Sequence, residues 1–242
     1  MDKKYFIFEN GFVFKYISLL LIFTFFTDCI EKNNIEQIFN NAVSQDFSGV
    51  ILIASEGEII FTGVNGKRDF ENNTPLMPSD IFELASVSKQ FTAMMVMICK
   101  EKGMLNYDDL VEKYLDIPYK GITIRNLLTH TSGLPDYQKV MDENWDKSKV
   151  AGNTEIIEYL KKYKPKILFS PGDEYKYSNT GYVLLGSIVE KVTGEDFVEM
   201  SKKWIFEPLG MENTLIRSNE EKKELDNLAL GHKKDSLDRF VN

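Results

Sequence analysis

Residues 82–103 read FELASVSKQFTAMMVMICKEKG, and this stretch decides the fold class. Ser86 and Lys89 open an apolar run that stops at Gly103. Because apolar residues fill nearly every position, the run predicts a helix from Ser86 to Glu101 that is buried on all sides, with Gly103 as its end. A helix places residues three apart on one face, so we expect the Lys89 ammonium to reach the Ser86 hydroxyl.

Two short β-branched runs precede this helix. Gly49–Ala54 and Glu58–Thr62 flank a Glu-Gly turn and predict a β-hairpin, whereas the Gly-, Asn- and Pro-rich residues 65–80 predict a loop. After the Ser86 helix, further helices are predicted over 108–114, 124–128, 154–163, 182–192 and 195–206, and no strand is predicted beyond Phe206. Strands followed by a run of helices indicate an α+β domain instead of alternating βαβ units.

The composition fits one folded domain. Hydrophobic residues make up 43% of the 242 residues, which is enough for a substantial core. The net charge is −8 and no dense Lys/Arg stripe occurs, so we predict no nucleic-acid partner. The two cysteines exclude a disulfide framework and a Cys-rich metal site. We interpret Cys99, within the apolar helix, as a buried and inert thiol.

The first 29 residues have the pattern of an export signal. Lys3, Lys4 and Lys15 are followed by the apolar run 16–26, which is short for a membrane-spanning helix, and then by Cys29. Three alternatives remain: a lipoprotein lipidated on Cys29, an uncleaved anchor, or ordinary secretion. Asp28 departs from the usual lipoprotein signal, which has a small residue there. We predict an exported, membrane-held cell-envelope protein with its domain over residues 30–242.

The Ser86-Val-Ser-Lys89 motif has the residue types of a nucleophile and its base. A serine hydroxyl is a weak nucleophile until a neighbouring group takes its proton, and a lysine can do so where its surroundings lower its pKa. The helix N-terminus adds positive potential, and the Ser86 N–H is a candidate donor to an oxyanion. Taken alone, the motif also fits a capping serine and a surface lysine.

A second motif is Tyr177-Ser178-Asn179. A tyrosine close to Lys89 can share its proton and pass it to a leaving group. The Asn179 amide can donate to a substrate carbonyl or hold Lys89 in place. Taken alone, this motif fits better a loop tyrosine followed by an N-cap before the helix predicted from Tyr182.

A third motif is LLTHTSGLP, residues 127–135. Its His130 is one of only two histidines and is a candidate general base, but no carboxylate is obviously placed to orient it. We interpret His130 as a buried structural histidine next to a tight turn at Gly133 and Pro135.

The three motifs in this order resemble the class C beta-lactamase-like branch of the serine beta-lactamase and penicillin-binding-protein superfamily. The resemblance extends over residues 47–231. It implies a beta-lactamase/transpeptidase-like fold, an antiparallel sheet with a mainly helical second region. It also implies Ser86 as nucleophile, Lys89 and Tyr177 as the proton-transfer pair, Asn179 as a substrate-binding amide, and a covalent acyl-enzyme. No metal or organic cofactor is implied.

One element of that family is not found. The resemblance implies a Lys- or His-containing triplet ending in Gly, on a strand beside the nucleophile. The nearest match, Lys191–Gly194, falls at a helix end, and residues 230–232 resemble a segment that precedes the strand. We therefore expect the C-terminal strands to be absent from this chain, leaving the domain incomplete at its C-terminal end, with low solubility and little turnover.

Three functions are compatible with the sequence. The first is a serine hydrolase of peptides, amides, esters or beta-lactams, acting at the cell wall. The second is a truncated, catalytically impaired relative that binds without turnover or has no function. The third is a membrane-tethered structural module with accidental motifs, which the co-occurrence of all three motifs disfavours. The substrate and the oligomeric state are not encoded in any motif.

Overall fold

The structure, a computed structural model, describes residues 34–44, 47–217, 225–236 and 240–241. The described residues fall into two compact units, the first made of those up to Glu83 and those from 225 onwards, the second of those from Leu84 to Arg217. The predicted signal segment, including Cys29, lies outside the described residues, so the export signal and the domain start at residue 30 stay predictions. Within the described ranges, no helix has both the length and the apolar character needed to cross a bilayer.

The first unit contains a helix over residues 34–43 (α1) and the predicted hairpin. β1 (Gly49–Ser55) pairs antiparallel with β2 (Glu58–Asn65), from Gly49 opposite Asn65 to Ser55 opposite Glu58. Glu56 and Gly57 join the strands, and both have positive φ angles. Such a two-residue turn has a twist that matches the strands it connects. The hairpin prediction is therefore confirmed.

Residues 65–80, predicted as a loop, contain a second small hairpin. β3 (Lys67–Asp69) pairs antiparallel with β4 (Thr74–Pro75), so the loop prediction is wrong at these residues. The Gly and Asn residues that motivated it lie in the turn and the flanks. Pro75 ends its strand, where the missing N–H disturbs the ladder least.

Two more strands lie near the end of the chain. β5 (Lys233–Lys234) pairs antiparallel with β6 (Phe240–Val241). The expectation of no strand beyond Phe206 is wrong here, because strands of two residues carry no detectable alternation. Each sheet among the described residues has two strands. The presence of antiparallel strand pairs in one unit and of a group of helices in the other confirms the α+β fold class.

The second unit is helical. The nucleophile motif begins in a 3₁₀ turn, Ala85–Ser88, and helix α2 follows over Lys89–Glu101. The other helices are α3 (Ile124–Leu128), α4 (Tyr137–Asn144), α5 (Asn153–Tyr163), α6 (Asn179–Thr193) and α7 (Phe197–Ser201), the last continuing with π-helical bonding over Lys202–Phe206. Five of the six predicted helices are confirmed within a few residues. The segment 108–114 forms only a 3₁₀ turn, Val111–Lys113, and α4 was not predicted.

Helix α2 is buried on one side only. Met95, Val96 and Cys99 are fully buried, and burial raises the pKa of the Cys99 thiol, as expected for an inert cysteine. Met94 and Met97 are 41% and 42% exposed, so the prediction of a helix buried on all sides is wrong. The reason is that helix packing in this unit, mainly with α6, covers one face of α2.

Helix α6 connects the core with the second motif. Ser178 is its N-cap, accepting a hydrogen bond from the Gly181 N–H at 3.1 Å, and Gly194 ends it with a φ of 72°. Both ends follow the usual capping preferences. Leu184, Leu185, Ile188 and Val189 are completely buried. The core thus fixes the helix whose first turn follows Tyr177.

The loop after α3 packs closely against the segment that leads to Tyr177. Gly133 has a φ of 69°, and its carbonyl accepts a hydrogen bond from the Leu168 N–H at 2.8 Å. A Cβ at Gly133 would lie 2.1 Å from the Phe169 carbonyl oxygen, closer than any real contact. Only glycine fits this position without moving the backbone of 168–169.

Replacing Gly133 by alanine is therefore expected to be strongly destabilising. The cost combines about 1–2 kcal/mol for the left-handed backbone with about 1–3 kcal/mol for overpacking. Gly103→Ala is the matched control, because Gly103 has a φ of 72° but no heavy atom within 4 Å of its added Cβ. Urea denaturation should show a larger loss of unfolding free energy for Gly133→Ala. Equal losses in the two variants would contradict the close contact.

Candidate active site

Ser86 lies in a strained turn at the start of α2. The preceding residue, Ala85, has a φ of 45°, which is unusual for a residue with a Cβ. The Ser88 hydroxyl donates to the Ala85 carbonyl at 2.6 Å and so stabilises the turn. The two serines of the motif therefore differ: Ser88 is used in the turn, whereas the Ser86 hydroxyl points to Lys89.

Lys89, the first residue of α2, contacts Ser86 directly. Its Nζ donates a hydrogen bond to Ser86 Oγ at 3.1 Å. The same ammonium lies 5.0 Å from the centroid of the Tyr177 ring and 5.6 Å from that of Tyr182. Cation–π contacts at these distances stabilise a positive charge. The expected juxtaposition of Lys89 and Ser86 is present, formed across the junction between the 3₁₀ turn and the α-helix.

Tyr177 approaches Ser86 from 91 positions further along the chain. Its hydroxyl donates to Ser86 Oγ at 2.8 Å. Interaction with Lys89, and then the hydrogen bond with Ser86, holds the pKa of the Tyr177 phenol below its usual value of 10. The side chain is 47% exposed, so solvent screens part of this effect. When the phenol ionises, the direction of the bond reverses, and the Ser86 hydroxyl donates a hydrogen bond to the phenolate.

A ladder of backbone hydrogen bonds places Tyr177. The Gly172 N–H donates to the Thr131 carbonyl at 2.8 Å, and the Lys176 N–H donates to the His130 carbonyl at 2.9 Å. The buried Thr180 hydroxyl donates to the Pro135 carbonyl at 2.6 Å and accepts the Tyr137 N–H. Hydrogen bonds with residues 127–135 thus fix the position of the Tyr177-Ser178-Asn179 motif.

Asn179 is the first residue of α6 and is half-buried. Its side-chain amide makes no hydrogen bond to any of the described residues. An amide in this state retains both donors and its acceptor for an added ligand.

His130 is part of the same arrangement. Its Nδ1 accepts a hydrogen bond from the Ser178 N–H at 3.1 Å. Its ring centroid lies 4.6 Å from that of Tyr177, 5.1 Å from Tyr182 and 6.0 Å from Tyr175. These contacts are those of a structural histidine, and they pack the imidazole against the Tyr177 ring.

Sequence reasoning missed Tyr182. Besides facing Lys89 and His130, its hydroxyl donates to the Leu128 carbonyl at 3.2 Å, which links α6 to α3. The available signal was spacing: Tyr182 follows the N-cap Ser178 by four residues, so both lie on one face of the helix.

Metal ligands are not grouped in the described part of the chain: no three His, Cys, Asp or Glu side chains there are arranged to hold an ion. The candidate site consists instead of hydroxyl, phenol, ammonium, amide and imidazole groups. That set is typical of acyl transfer through a serine.

The Beta-lactamase family profile matches residues 35–236 of this chain. The chain belongs to the beta-lactamase family. Penicillin-binding protein 4* of Bacillus subtilis (strain 168) is 38% identical over 205 residues, which are 84% of this chain and 46% of that protein. The chain therefore spans about half the length of this curated relative. Members of the family are serine hydrolases.

Solved structures give the same assignment. The octameric penicillin-binding protein homologue from Pyrococcus abyssi superposes with a TM-score of 0.73 at 32% identity, covering 86% of this chain and 49% of that chain. The D-amino acid amidase from Ochrobactrum anthropi SV3 superposes with a TM-score of 0.68 at 28% identity, covering 87% and 61%. The predicted superfamily and its fold are thus confirmed.

Proposed function

We propose that this protein is a serine hydrolase that forms a covalent acyl-enzyme on Ser86. The observation that carries the proposal is the convergence on Ser86 Oγ of Lys89 Nζ at 3.1 Å and the Tyr177 hydroxyl at 2.8 Å. A nucleophile within hydrogen-bond reach of a base, itself oriented by a third group, is the general pattern of nucleophilic catalysis.

Acylation then proceeds with Tyr177 as the immediate base. The Lys89 charge favours the Tyr177 phenolate, which takes the Ser86 proton as Oγ attacks the substrate carbonyl carbon. The Ser86 N–H donates to the oxyanion that develops. The proton on Tyr177 passes to the departing nitrogen or oxygen as its bond to the carbonyl carbon breaks. The Asn179 amide holds a carbonyl of the substrate.

Deacylation uses the same pair. A water molecule replaces the leaving group, gives its proton to Tyr177 and attacks the ester of Ser86. Collapse of the second tetrahedral intermediate releases the acid and returns the proton to Ser86 Oγ. Atoms balance without a metal or an oxidant.

The proposed substrate class is taken from the chain's relatives. One relative is named as a penicillin-binding protein and one structural neighbour as a D-amino acid amidase. We assign this chain the same chemistry: amides, peptides or esters of the cell wall, and beta-lactams as acylating analogues. All of these present a carbonyl carbon to a serine.

A second candidate is a catalytically impaired relative that binds or is acylated without turnover. Solvent exposure of the site favours it, since Ser86 is exposed and Tyr177 is 47% exposed. Hydrogen bonds and charges stabilise a transition state more weakly where water reaches them. The earlier expectation of little turnover stays a prediction under this candidate.

One experiment separates these functions. The full chain is incubated with a fluorophosphonate and with a penicillin-type probe, and adducts are mapped by peptide mass spectrometry. Hydrolysis of an activated ester and a chromogenic cephalosporin is then measured. An adduct on Ser86 with turnover supports the hydrolase, and an adduct without turnover supports the second candidate. Absence of any Ser86 adduct with either probe would overturn the proposal.

We further propose that the protein is exported and held at the membrane by lipid on Cys29. In cells, Cys29→Ser is expected to move most of the protein from the membrane fraction to the soluble fraction. Cys99→Ala is the control, since Cys99 is buried and should not affect fractionation. One acyl chain binds a bilayer only marginally, so stable retention of the wild-type protein in the membrane fraction would indicate that Cys29 carries several chains. Full retention of Cys29→Ser would instead indicate an uncleaved helix.

A further inference from the structure

His130 is attached at two points to the segment that carries Tyr177. Its carbonyl accepts the Lys176 N–H at 2.9 Å and its Nδ1 accepts the Ser178 N–H at 3.1 Å. Tyr177 lies between these two bonds, with its ring stacked at 33° on the imidazole. The His130 backbone has a φ of 57°, in the left-handed region.

An acceptor Nδ1 carries no proton, so this geometry requires the neutral imidazole with hydrogen on Nε2. Burial, followed by the positive charge of Lys89, keeps the pKa of His130 below its usual 6.5. The titratable groups that face the ring are Lys89 from α2, Tyr182 from α6, and Tyr175 and Tyr177 from the segment before α6. Below that pKa, protonation places a donor against the Ser178 N–H and a second cation near Lys89.

We propose that neutral His130 is a positioning residue for Tyr177, and that protonation of its imidazole breaks the hydrogen bond with the Ser178 N–H and switches acylation off in acid. The inference rests on the proposed function, because its effect is measured as the rate at which Ser86 is labelled. The contacts of His130 are with the Tyr177 ring and with the backbone on either side of it. Its contribution is to keep the phenol at hydrogen-bond distance from Ser86 Oγ.

The test compares rates of Ser86 labelling by a fluorophosphonate across pH. His130→Asn retains an acceptor oxygen near the Nδ1 position, tolerates a positive φ, and does not titrate. His130→Ala removes the acceptor and the ring. His232→Asn, at the second of the two histidines, is the matched control.

We expect a change of slope at the pKa of His130 when the logarithm of the labelling rate is plotted against pH. In wild type and His232→Asn, the slope below that pKa should be greater by one than the slope above it. His130→Asn should lose that additional slope while keeping a rate within about threefold of wild type at pH 8, because its acceptor remains. His130→Ala should label about tenfold more slowly at pH 8, the scale of losing a hydrogen bond and an aromatic contact. Circular dichroism at each pH checks that the variants are folded.

Two outcomes would overturn the inference: an unchanged acid slope in His130→Asn, or a wild-type rate in folded His130→Ala. If His130→Ala fails to fold, the slope of His130→Asn still decides. Absence of labelling in wild type at every pH would reject the proposed function instead, so the two failures are distinguishable.

Discussion

Replacing Ser86 by alanine is expected to abolish covalent labelling and to reduce any hydrolysis by at least about 10⁴-fold, the scale of losing a covalent nucleophile. The physical reason is that Ser86 Oγ accepts hydrogen bonds from both Lys89 and Tyr177. Alanine keeps the 3₁₀ turn, since the hydrogen bond that stabilises it comes from Ser88. The fold should therefore be unaffected, and thermal unfolding provides the check.

Ser88→Ala is the matched control for this prediction. It removes a hydroxyl two residues away, in the same turn, and leaves the Ser86 hydroxyl in place. Its hydrogen bond to the Ala85 carbonyl is solvent-exposed, so its loss is expected to cost about 1 kcal/mol or less. Labelling should remain within a few-fold of wild type. An adduct mapped to Ser88 in the wild type would show that the nucleophile assignment is wrong.

The local part of the site was predictable because it depends only on helical spacing. Ser86 and Lys89 are three residues apart, and either a 3₁₀ turn or an α-helix brings such residues together. Tyr177 is different, because no local rule relates it to Ser86. Only the co-occurrence of the three motifs predicted their proximity, and the backbone ladder from 130–133 to 168–176 is what brings it about.

Burial was less predictable than helix formation. The composition of α2 predicts a helix, but sequence periodicity does not reveal which faces acquire a neighbour. Met95 and Met94 are adjacent and chemically identical, yet one is fully buried and the other 41% exposed. The start of the helix also differs from the prediction: Ala85, with a positive φ, opens a 3₁₀ turn, and the α-helix begins at Lys89 instead of Ser86. Such strain depends on tertiary packing and leaves no pattern in the sequence.

Short elements escaped prediction for a related reason. β3 and β4 consist of three and two residues, and β5 and β6 of two each. Segments of this length cannot display alternation, and their pairing depends on long-range approach. By contrast, α6 has fifteen residues, an N-cap serine and a C-terminal glycine, and its position was predicted within three residues at its start and one at its end.

Removing the charge of Lys89 is expected to have the second large effect on the acylation rate. We expect that charge to act mainly by favouring the ionised form of Tyr177. Lys89→Met keeps the length of the side chain and removes the ammonium. Acylation at pH 7 should slow by at least about 10²-fold, the scale of losing acid–base assistance. Lys100→Met is the control: Lys100 is in the same helix, contacts a tyrosine ring at 5.0 Å, and lies about 16 Å along the axis from Lys89. It should label at nearly the wild-type rate.

The pH profile distinguishes this electrostatic role from a loss of folding. Lys89 lowers the pKa of Tyr177, so its removal should return the phenol towards its usual pKa of 10 and move the rising limb of the labelling rate to higher pH. The deficit of Lys89→Met should therefore be largest at neutral pH and shrink towards pH 10. Tyr177→Phe should lose the limb altogether, and adding Lys89→Met to it should cost little more, since the two residues act as one unit. A near-wild-type rate in Lys89→Met, or full additivity in the double variant, would contradict the assignment of Lys89 and Tyr177 as a coupled pair.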